Sequence, residues 1–249
     1  MGVCDLGGVN VAIGWSLAGV LVLLTVVAAV AVGMGRLGPW RPVATAALRA
    51  VGQLAAVSFI IVLVLRSGWL TAAFVLLMFA IATLTSARRG GGLWVGAAIF
   101  GGVAPILGLL LATRLVPLNP VAVIPIAGIL IGGAMTATSL AGRRALDELT
   151  TRRGEYEAAL ALGLTNPDAA RLIVRPTAGQ ALVPALGQTR TVGLVTLPGT
   201  FVGILLGGGT PLQAGATQLL VLIALLAIEG IAVLVTVELV AADKLTARE

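Results

Sequence analysis

Histidine is absent from this chain of 249 residues, and cysteine and lysine occur once each, as Cys4 and Lys244. A single cysteine excludes an internal disulfide framework and cysteine-rich metal sites. The missing histidine excludes a histidine base in catalysis. A Walker A phosphate loop needs Gly-Lys followed by Ser or Thr, but Lys244 lies between Asp243 and Leu245. The chain therefore cannot hydrolyse ATP by that route, and we expect neither an enzyme nor a cofactor of its own.

Charge is also scarce. Charged residues make up 10% of the chain, hydrophobic residues 59%, and the mean hydropathy is +1.09. Soluble domains are about half apolar and a quarter charged, so the composition indicates an integral membrane protein with lipid as its main surroundings. The net charge of +6 fits the usual arginine excess of cytoplasmic loops. Nucleic-acid binding would need a basic face with aromatic or loop readers, which the sequence lacks, and we predict no nucleic-acid partner.

Seven segments read as membrane spans, since a transmembrane helix needs about 20 mainly apolar residues. They cover residues 11–34, 43–65, 69–86, 93–112, 121–141, 191–206 and 213–240, and the sixth is short and glycine-rich. The first segment has no basic flank and is too long for a signal-peptide core, so we expect a retained anchor. The sequence predicts an all-α polytopic membrane helix bundle of about seven transmembrane helices, forming a single transmembrane domain over residues 1–249.

The basic residues predict the orientation of the bundle. Loops after the first, third, fifth and seventh spans carry most of them: Arg36, Arg41, Arg88, Arg89, Arg143, Arg144, Arg152, Arg153, Arg171, Arg175, Lys244 and Arg248. The opposite loops carry only Arg66 and Arg114. The positive-inside rule therefore predicts an N-terminus outside the cell and a C-terminus in the cytoplasm.

A polar segment, residues 143–188, separates the fifth and sixth spans. Strong helix formers lead to Gly163, a natural residue for ending a helix in the left-handed conformation. Asn166 is predicted to cap a second helix, with Pro167 at its first position and Pro176 at its limit. The result is a helix–glycine–helix element on the cytoplasmic side. It is either a solvated loop or an element that lays a small apolar face in a groove of another protein.

The spacing of this element resembles the EAA loop of ABC-transporter permeases. Glu157-Ala158-Ala159 is followed after three residues by Gly163, after nine more by Ile173, and after one more by Arg175-Pro176. Arg175 stands where leucine is usual. In that family the loop is a coupling helix seated in a cleft of the ATP-binding subunit. The resemblance implies a cytoplasmic ABC partner that binds Mg-ATP and touches Glu157, Ala158, Ala159, Gly163, Leu164 and Thr165.

A wider resemblance covers nearly the whole chain. It is similar to FetB-type iron-export ABC permeases, which have plant aluminium-tolerance relatives, over residues 49–54 (RAVGQL), 124–140 (IPIAGILIGGAMTATSL), 157–165, 191–207 (TVGLVTLPGTFVGILLG) and 211–218 (PLQAGATQ). The resemblance implies a homodimeric permease of the plasma membrane that exports iron. Gly133 stands where the family often has Asn, and Thr200-Phe201 where it often has Met-Met or Ala-Met.

Several residues within the spans are candidates for a translocation path. Prolines free backbone carbonyls that protein or a water-filled cavity must satisfy, and buried ionisable groups are functional hypotheses. The glycines, spaced by four, either pack helices within one bundle or form a dimer face. The candidates are Arg49, Gln53, Pro125, Gly128, Gly132, Met135, Pro198, Gly199 and Glu229.

The individual roles of these candidates stay open at this point. Arg49 either snorkels to the surface or lines the path, and Glu229 either helps a cation across or pairs with Arg49 or a neighbouring helix. The metal ligands are unknown, with Glu229 and Met135 as candidates. Other readings of the chain are an ABC permease for another cargo, such as a nucleotide sugar or small organic solute, an importer, an intramembrane enzyme, or a passive channel, which would not need a docking helix.

Overall fold

The computed structural model describes residues 14–88 and 92–245. The predicted span residues 11–13 and the basic residues Arg89 and Arg248 lie outside this range. The described residues fall into two compact units, one reaching Leu63 and one starting at Val64. The single domain over residues 1–249 stays a prediction.

The described residues form ten α-helices, which confirms the all-α prediction. The helices are α1 (Trp15–Met34), α2 (Arg41–Val64), α3 (Gly68–Arg88), α4 (Val95–Ala112), α5 (Pro120–Thr151), α6 (Arg153–Ala161), α7 (Asn166–Ala178), α8 (Val183–Thr191), α9 (Gly199–Leu206) and α10 (Pro211–Ala241), with a 3₁₀ turn at Gly179–Leu182. Six of the described helices, α1 to α5 and α10, are long and apolar enough to cross a membrane. The protein is a polytopic helical membrane protein.

The first unit holds α1 and α2. Nearly all of their side chains are exposed, and they are strongly apolar, with mean hydropathies of 2.7 and 2.1 over their best spans. Apolar side chains on the outside of a bundle suit contact with lipid, because lipid tails are as apolar as leucine. These two helices are therefore held by a bilayer rather than by a core of their own.

In the second unit α5 and α10 lie side by side and run in the same direction. Their last turns pack with α7 in one hydrophobic cluster, in which Ala141 and Ala145 of α5 and Val237 and Val240 of α10 surround Val174. Their earlier turns share a larger cluster with α3 and α4. Small side chains at these positions let the helix backbones approach closely. α5 and α10 therefore form the central pair of the unit.

α5 extends well beyond the predicted fifth span of residues 121–141. It holds 32 residues, which corresponds to about 48 Å at 1.5 Å per residue. The hydrocarbon core of a bilayer is only about 30 Å thick. The last turns of α5, from Arg143 onward, therefore carry the polar segment away from the membrane-spanning part as one continuous helix.

The predicted sixth span, residues 191–206, is not one continuous helix. Residues 192–198 form an irregular turn between α8 and α9, and α9 holds only eight residues. Eight residues rise about 12 Å, far less than the roughly 30 Å that a spanning helix needs, so that prediction is wrong. Gly193, with a left-handed φ of 81°, and Pro198, which lacks a backbone N–H, break the helix.

The broken segment nevertheless runs the length of α10 in the opposite direction. α7 lies against the end of α10, whereas Phe201 of α9 and Leu219 in the first half of α10 line one small cavity. The segment from α7 to α9 therefore returns from the end of α10 to its beginning.

At Gly102 the α4 helix approaches the backbone of α10 closely. A Cβ at this position would stand 2.7 Å from the backbone oxygen of Ile228 and 3.4 Å from the Cβ of Ala232. Because a backbone atom cannot move aside, we expect Gly102→Ala to lower the free energy of unfolding by about 1–3 kcal/mol. Thermal unfolding in detergent measures this effect.

Gly108→Ala is the matched control, since Gly108 lies on the same helix with open space at its Cβ position. The alanine there favours the helix by about 0.5–1 kcal/mol. Equal unfolding temperatures for the two variants would contradict the close packing of α4 on α10.

Candidate functional site

The helix–glycine–helix element begins with a tight turn at the end of α6. Gly163 has a φ of 91°, its N–H donates to the Leu160 oxygen at 2.9 Å, and the Leu164 N–H donates to the Ala159 oxygen at 3.2 Å. These two hydrogen bonds and a left-handed glycine define a Schellman motif. The predicted role of Gly163 in ending the helix is confirmed.

Thr165, not Asn166, caps α7. The Thr165 hydroxyl accepts from the Asp168 N–H at 3.4 Å and donates to Asp168 Oδ2 at 2.6 Å, with Asn166 and Pro167 as the first two helical residues. The predicted cap was therefore one residue too late. A threonine with extended backbone satisfies a free N–H of the first turn as well as asparagine does, so the sequence offered two adjacent caps.

α7 also continues past Pro176, the predicted limit, to Ala178. A proline inside a helix loses one backbone hydrogen bond. Here Val174 before it and Ala178 after it are both buried in the cluster with α5 and α10. Packing on both sides of the proline therefore keeps the helix intact through it.

The turn presents most of the six predicted docking residues at the surface. Ala159 is buried, whereas Glu157, Ala158, Gly163, Leu164 and Thr165 are exposed. The sequence interpretation did not include Leu162, which stands out in the structure with 82% of its surface exposed. We call residues 157–165 the coupling turn. Leu162 is the most exposed leucine of this turn.

Two arginines of α7 bind one carboxylate near the end of α10. Arg171 Nε lies 2.9 Å from Glu238 Oε2, and Arg175 Nη2 lies 3.0 Å from Glu238 Oε1. Arg171 also binds Asp168 Oδ1 at 2.8 Å, and Asp168 in turn binds Thr165. This ion bridge, Arg171–Glu238–Arg175, therefore continues by hydrogen bonds to the coupling turn. It also gives Arg175, unusual at its position in the EAA pattern, a partner in this chain.

The charges of the turn are set by these contacts. The hydrogen bond from the Thr165 hydroxyl, followed by that from Arg171, holds the pKa of Asp168 below its ordinary value of 3.8. A lowered folded pKa means that the stabilisation is present above the ordinary pKa and is lost as the pH falls through the folded value. The turn therefore keeps its charge network throughout the neutral range.

A cavity of about 990 Å³ lies between the start of α5, α9 and the first half of α10. Pro125, Pro198 and Gly199, three of the predicted path residues, line it. Its polar lining consists of amides and hydroxyls, on Gln188, Thr200, Gln213, Thr217 and Gln218. We call it the large cavity. It lies at the opposite end of α10 from the ion bridge.

Gly128, Gly132 and Met135 belong to the same unit but do not line this cavity. A Cβ at Gly128 would meet the Met78 side chain of α3 at 2.8 Å, so Gly128 packs helices within the unit. Met135 packs against the larger hydrophobic cluster, and the Cβ position of Gly132 has open space within 4 Å. Arg49 and Gln53 are exposed on α2 in the first unit.

Glu229 is buried on α10, with 7% of its surface exposed. A Cβ at Gly133 would stand 2.9 Å from Glu229 Oε1 and 2.3 Å from Leu225 Cδ1. Gly133 therefore leaves room for both side chains. Leu225 lies one turn before Glu229 and lines the large cavity, so the carboxylate sits directly beyond the cavity wall. Gly133 stands where the resembling family often has Asn, and the missing side chain leaves this room for Leu225 and Glu229.

Within residues 14–88 and 92–245, no three His, Cys, Asp or Glu side chains come together in a group able to hold a metal ion. Glu229 and Met135 stay predicted metal candidates, and no contact between them is described.

The polar residues of the large cavity were largely missed from the sequence. Gln213 and Thr217 lie four positions apart on α10 and so share one face of its first two turns, and Gln218, next to Thr217, also lines the cavity. The sequence feature that could have identified them is the presence of three polar residues within PLQAGATQLL, at the edge of a long apolar run. Gln188 and Thr200 come from the broken segment, and their position depends on the turn at residues 192–198.

These features define a class: a polytopic helical membrane protein with a bound helix–glycine–helix element at one end of its central helices and a cavity at the other. The chain belongs to the Uncharacterised protein family (UPF0014), whose profile matches residues 15–244. No solved structure matches the chain.

Three relatives illustrate the family. The chain is 33% identical to UPF0014 membrane protein STAR2 of Oryza sativa subsp. japonica, over 81% of this chain and 74% of that protein. It is 33% identical to Protein ALUMINUM SENSITIVE 3 of Arabidopsis thaliana, over 68% of this chain and 65% of that protein. It is 30% identical to Probable iron export permease protein FetB of Escherichia coli (strain K12), over 55% of this chain and 53% of that protein.

The geometry of the coupling turn depends on the left-handed conformation of Gly163. A Cβ there meets no neighbour within 4 Å, so the cost of Gly163→Ala is that of the backbone alone, about 1–2 kcal/mol. We expect faster hydrogen exchange across residues 158–168 in this variant, as measured by mass spectrometry.

Gly154→Ala serves as the control, because Gly154 lies within α6 and also has open space at its Cβ position. Its exchange in the same peptides should be unchanged or slower. Equal exchange in wild type and Gly163→Ala would show that the turn does not rely on this glycine.

Proposed function

We propose that the chain is the membrane-spanning permease subunit of an ABC transporter that exports a metal ion, iron, from the cytoplasm. A separate cytoplasmic subunit binds and hydrolyses Mg-ATP. The observation that carries the proposal is the coupling turn, an exposed Schellman turn with the EAA spacing whose following helix is bound to α10 by the ion bridge. The choice of iron rests on the relative named Probable iron export permease protein FetB.

The proposed orientation follows the basic residues. The ends of α5 and α10, with α6 and α7, lie on the cytoplasmic side, where Arg152, Arg153, Arg171 and Arg175 are gathered. The large cavity then lies toward the outside. With the broken segment as one crossing, the N-terminus is outside and the C-terminus inside the plasma membrane.

A second copy of the chain completes the proposed transporter. Irregular backbone in a bilayer must be covered by protein or line a water-filled cavity. The exposed Leu194 and Val195 of the turn between α8 and α9 therefore suit a position where the second copy covers them.

A different cargo, such as a nucleotide sugar or another small organic solute, is the alternative. One observation favours it: a volume of about 990 Å³ with amide and hydroxyl groups is at the upper end of the range for small-molecule sites. The movement driven by ATP hydrolysis and the docking surface at the coupling turn are the same for either cargo.

If the coupling turn docks on the ATP-binding subunit, a charged residue in place of Leu162 should weaken binding of that subunit. A glutamate at this exposed position brings a charge into an apolar contact without a counter-ion. We expect Leu162→Glu to weaken co-purification of the ATP-binding subunit at least about tenfold, as for the loss of a central contact residue. The measurement is pull-down of the tagged permease from cells that express both subunits.

Leu172→Glu is the control, since Leu172 is also an exposed leucine, at 59%, but lies on α7 away from the coupling turn. It should retain the partner. Retention of the partner by Leu162→Glu, or equal loss in both variants, would contradict docking through the coupling turn.

A further inference from the structure

Gln218 is the most deeply buried polar group of the large cavity. Only 5% of its surface is exposed, and its Oε1 has no hydrogen-bond partner within the described residues. A buried carbonyl without a partner is rare and calls for an explanation, such as a bound water, ion or ligand. The other cavity amide on α10, Gln213, already binds the Thr210 N–H at 2.9 Å, so Gln218 is the group left available.

Gln218 also stands between two cavities. The large cavity and a smaller one of about 360 Å³ share Gln218, Pro198 and Leu222 in their walls. The smaller cavity reaches the irregular turn at Val192 and Gly193. In transporters, broken helices with free backbone groups commonly form the substrate site, and the two cavities meet at such a break.

The lining groups select a class of ligand. Gln188, Thr200, Thr217 and Gln218 are neutral, and they can both donate and accept hydrogen bonds. Sites for dehydrated multivalent cations combine carbonyl and water oxygens with carboxylates, or use softer donors, and this lining has no carboxylate. Neutral amides and hydroxyls instead suit a ligand whose outer surface consists of oxygen atoms and O–H groups.

The size of the cavity agrees with such a ligand. A cation with six waters takes roughly 180 Å³ at about 30 Å³ per water, so a cavity of about 990 Å³ admits the ion together with a complete shell of oxygen donors. Glu229, beyond Leu225, lies outside the cavity lining and is separated from Gln218 by eleven positions, about 16 Å along the helix.

We propose that the large cavity is a cargo site centred on Gln218, and that it binds the metal ion with its shell of oxygen ligands rather than as a bare ion. This rests on the proposed function as a metal exporter. The shell is either water or a small oxygen-donor chelator such as citrate. Water in the shell would donate O–H hydrogen bonds to Gln218 Oε1, whereas the carboxylates of a chelator would accept from its amide N–H, and the experiment below separates the two.

The test is equilibrium binding of radiolabelled iron to the full-length permease in detergent, offered as ferric citrate or as hydrated Fe²⁺ under anaerobic conditions. We expect wild type to bind at least one of these forms, and the form that binds identifies the shell. Gln218→Leu should weaken that binding about tenfold or more, the effect of losing a central polar contact. Gln180→Leu, an identical change at an exposed position, should bind as wild type does.

Thermal unfolding separates a binding role from a structural one. Replacing an unpaired buried carbonyl by an apolar group of similar size removes no internal hydrogen bond, so the unfolding temperature of Gln218→Leu should be equal to or above that of wild type. If Gln218→Leu does not fold, Thr217→Val makes the test, because Thr217 also lines the cavity. Its hydroxyl donates to the Gln213 backbone oxygen at 2.9 Å and can still accept from the ligand, so its loss should also weaken binding.

Equal iron binding by wild type and the cavity variants would overturn the inference and leave iron export intact. So would loss of binding in Glu229→Gln with full binding in Gln218→Leu, which would place a bare ion at the carboxylate. If wild type binds neither form of iron, this inference and the choice of iron as cargo both fail. Docking of the ATP-binding subunit is measured independently through Leu162.

Discussion

Glu238 joins the polar end of the protein to its membrane part. This carboxylate near the end of α10 holds both Arg171 and Arg175 of α7, while Val174 between them is buried against α5 and α10. Partly exposed ion pairs contribute only about 0–1 kcal/mol each, so the bridge fixes position more than it adds stability. The hydrophobic cluster holds α7 against α10. The three charged side chains fix which residues of the two helices lie opposite each other.

The position of α7 on α10 matters because α10 carries Glu238 of the ion bridge near one end and Gln218 of the large cavity near the other. From Glu238 to Gln218 is twenty positions, about 30 Å along the helix, which is the thickness of the hydrocarbon core. Glu229 lies between them. A rigid helix bound at one end to the coupling turn and lining the cavity at the other gives a direct mechanical route between the two. In the proposed transporter, closure of the ATP-binding subunit displaces α7 and with it α10.

Local signals in the sequence were sufficient for most of the helices and for the coupling turn. Long apolar runs predicted α1 to α4 and α10. Gly163 predicted the turn, because a glycine shortly before a capping residue commonly ends the preceding helix in the left-handed conformation. The predicted end of α7 failed because of tertiary contacts, since packing of Val174 and Ala178 carries the helix through Pro176. The cap was placed one residue late for a local reason, because Thr165 and Asn166 are both suitable caps and Thr165 is the one that binds Asp168.

The ion bridge and the large cavity could not be predicted from the sequence. Glu238 lies 63 positions from Arg175, and no local pattern links them. The break at residues 192–198 was read as part of an apolar span because its composition is apolar, although Gly193 and Pro198 interrupt it. The cavity polar groups come from α8, α9 and α10, and only the path of the broken segment brings them together. Pro125 and Pro198 were identified from the sequence because their chemistry requires a cavity or protein partner wherever they lie.

The central claim is that motion of the coupling turn reaches α10 through Glu238. The most direct measurement is the ratio of iron exported to ATP hydrolysed by the reconstituted permease–ATPase complex carrying Glu238→Gln, with Glu148→Gln on α5, outside the bridge, as control. The account predicts that Glu238→Gln retains the partner and its ATP hydrolysis but exports several-fold less iron per ATP, a loss of about 1 kcal/mol in coupling, while the control keeps the wild-type ratio. An unchanged ratio in Glu238→Gln would contradict the account.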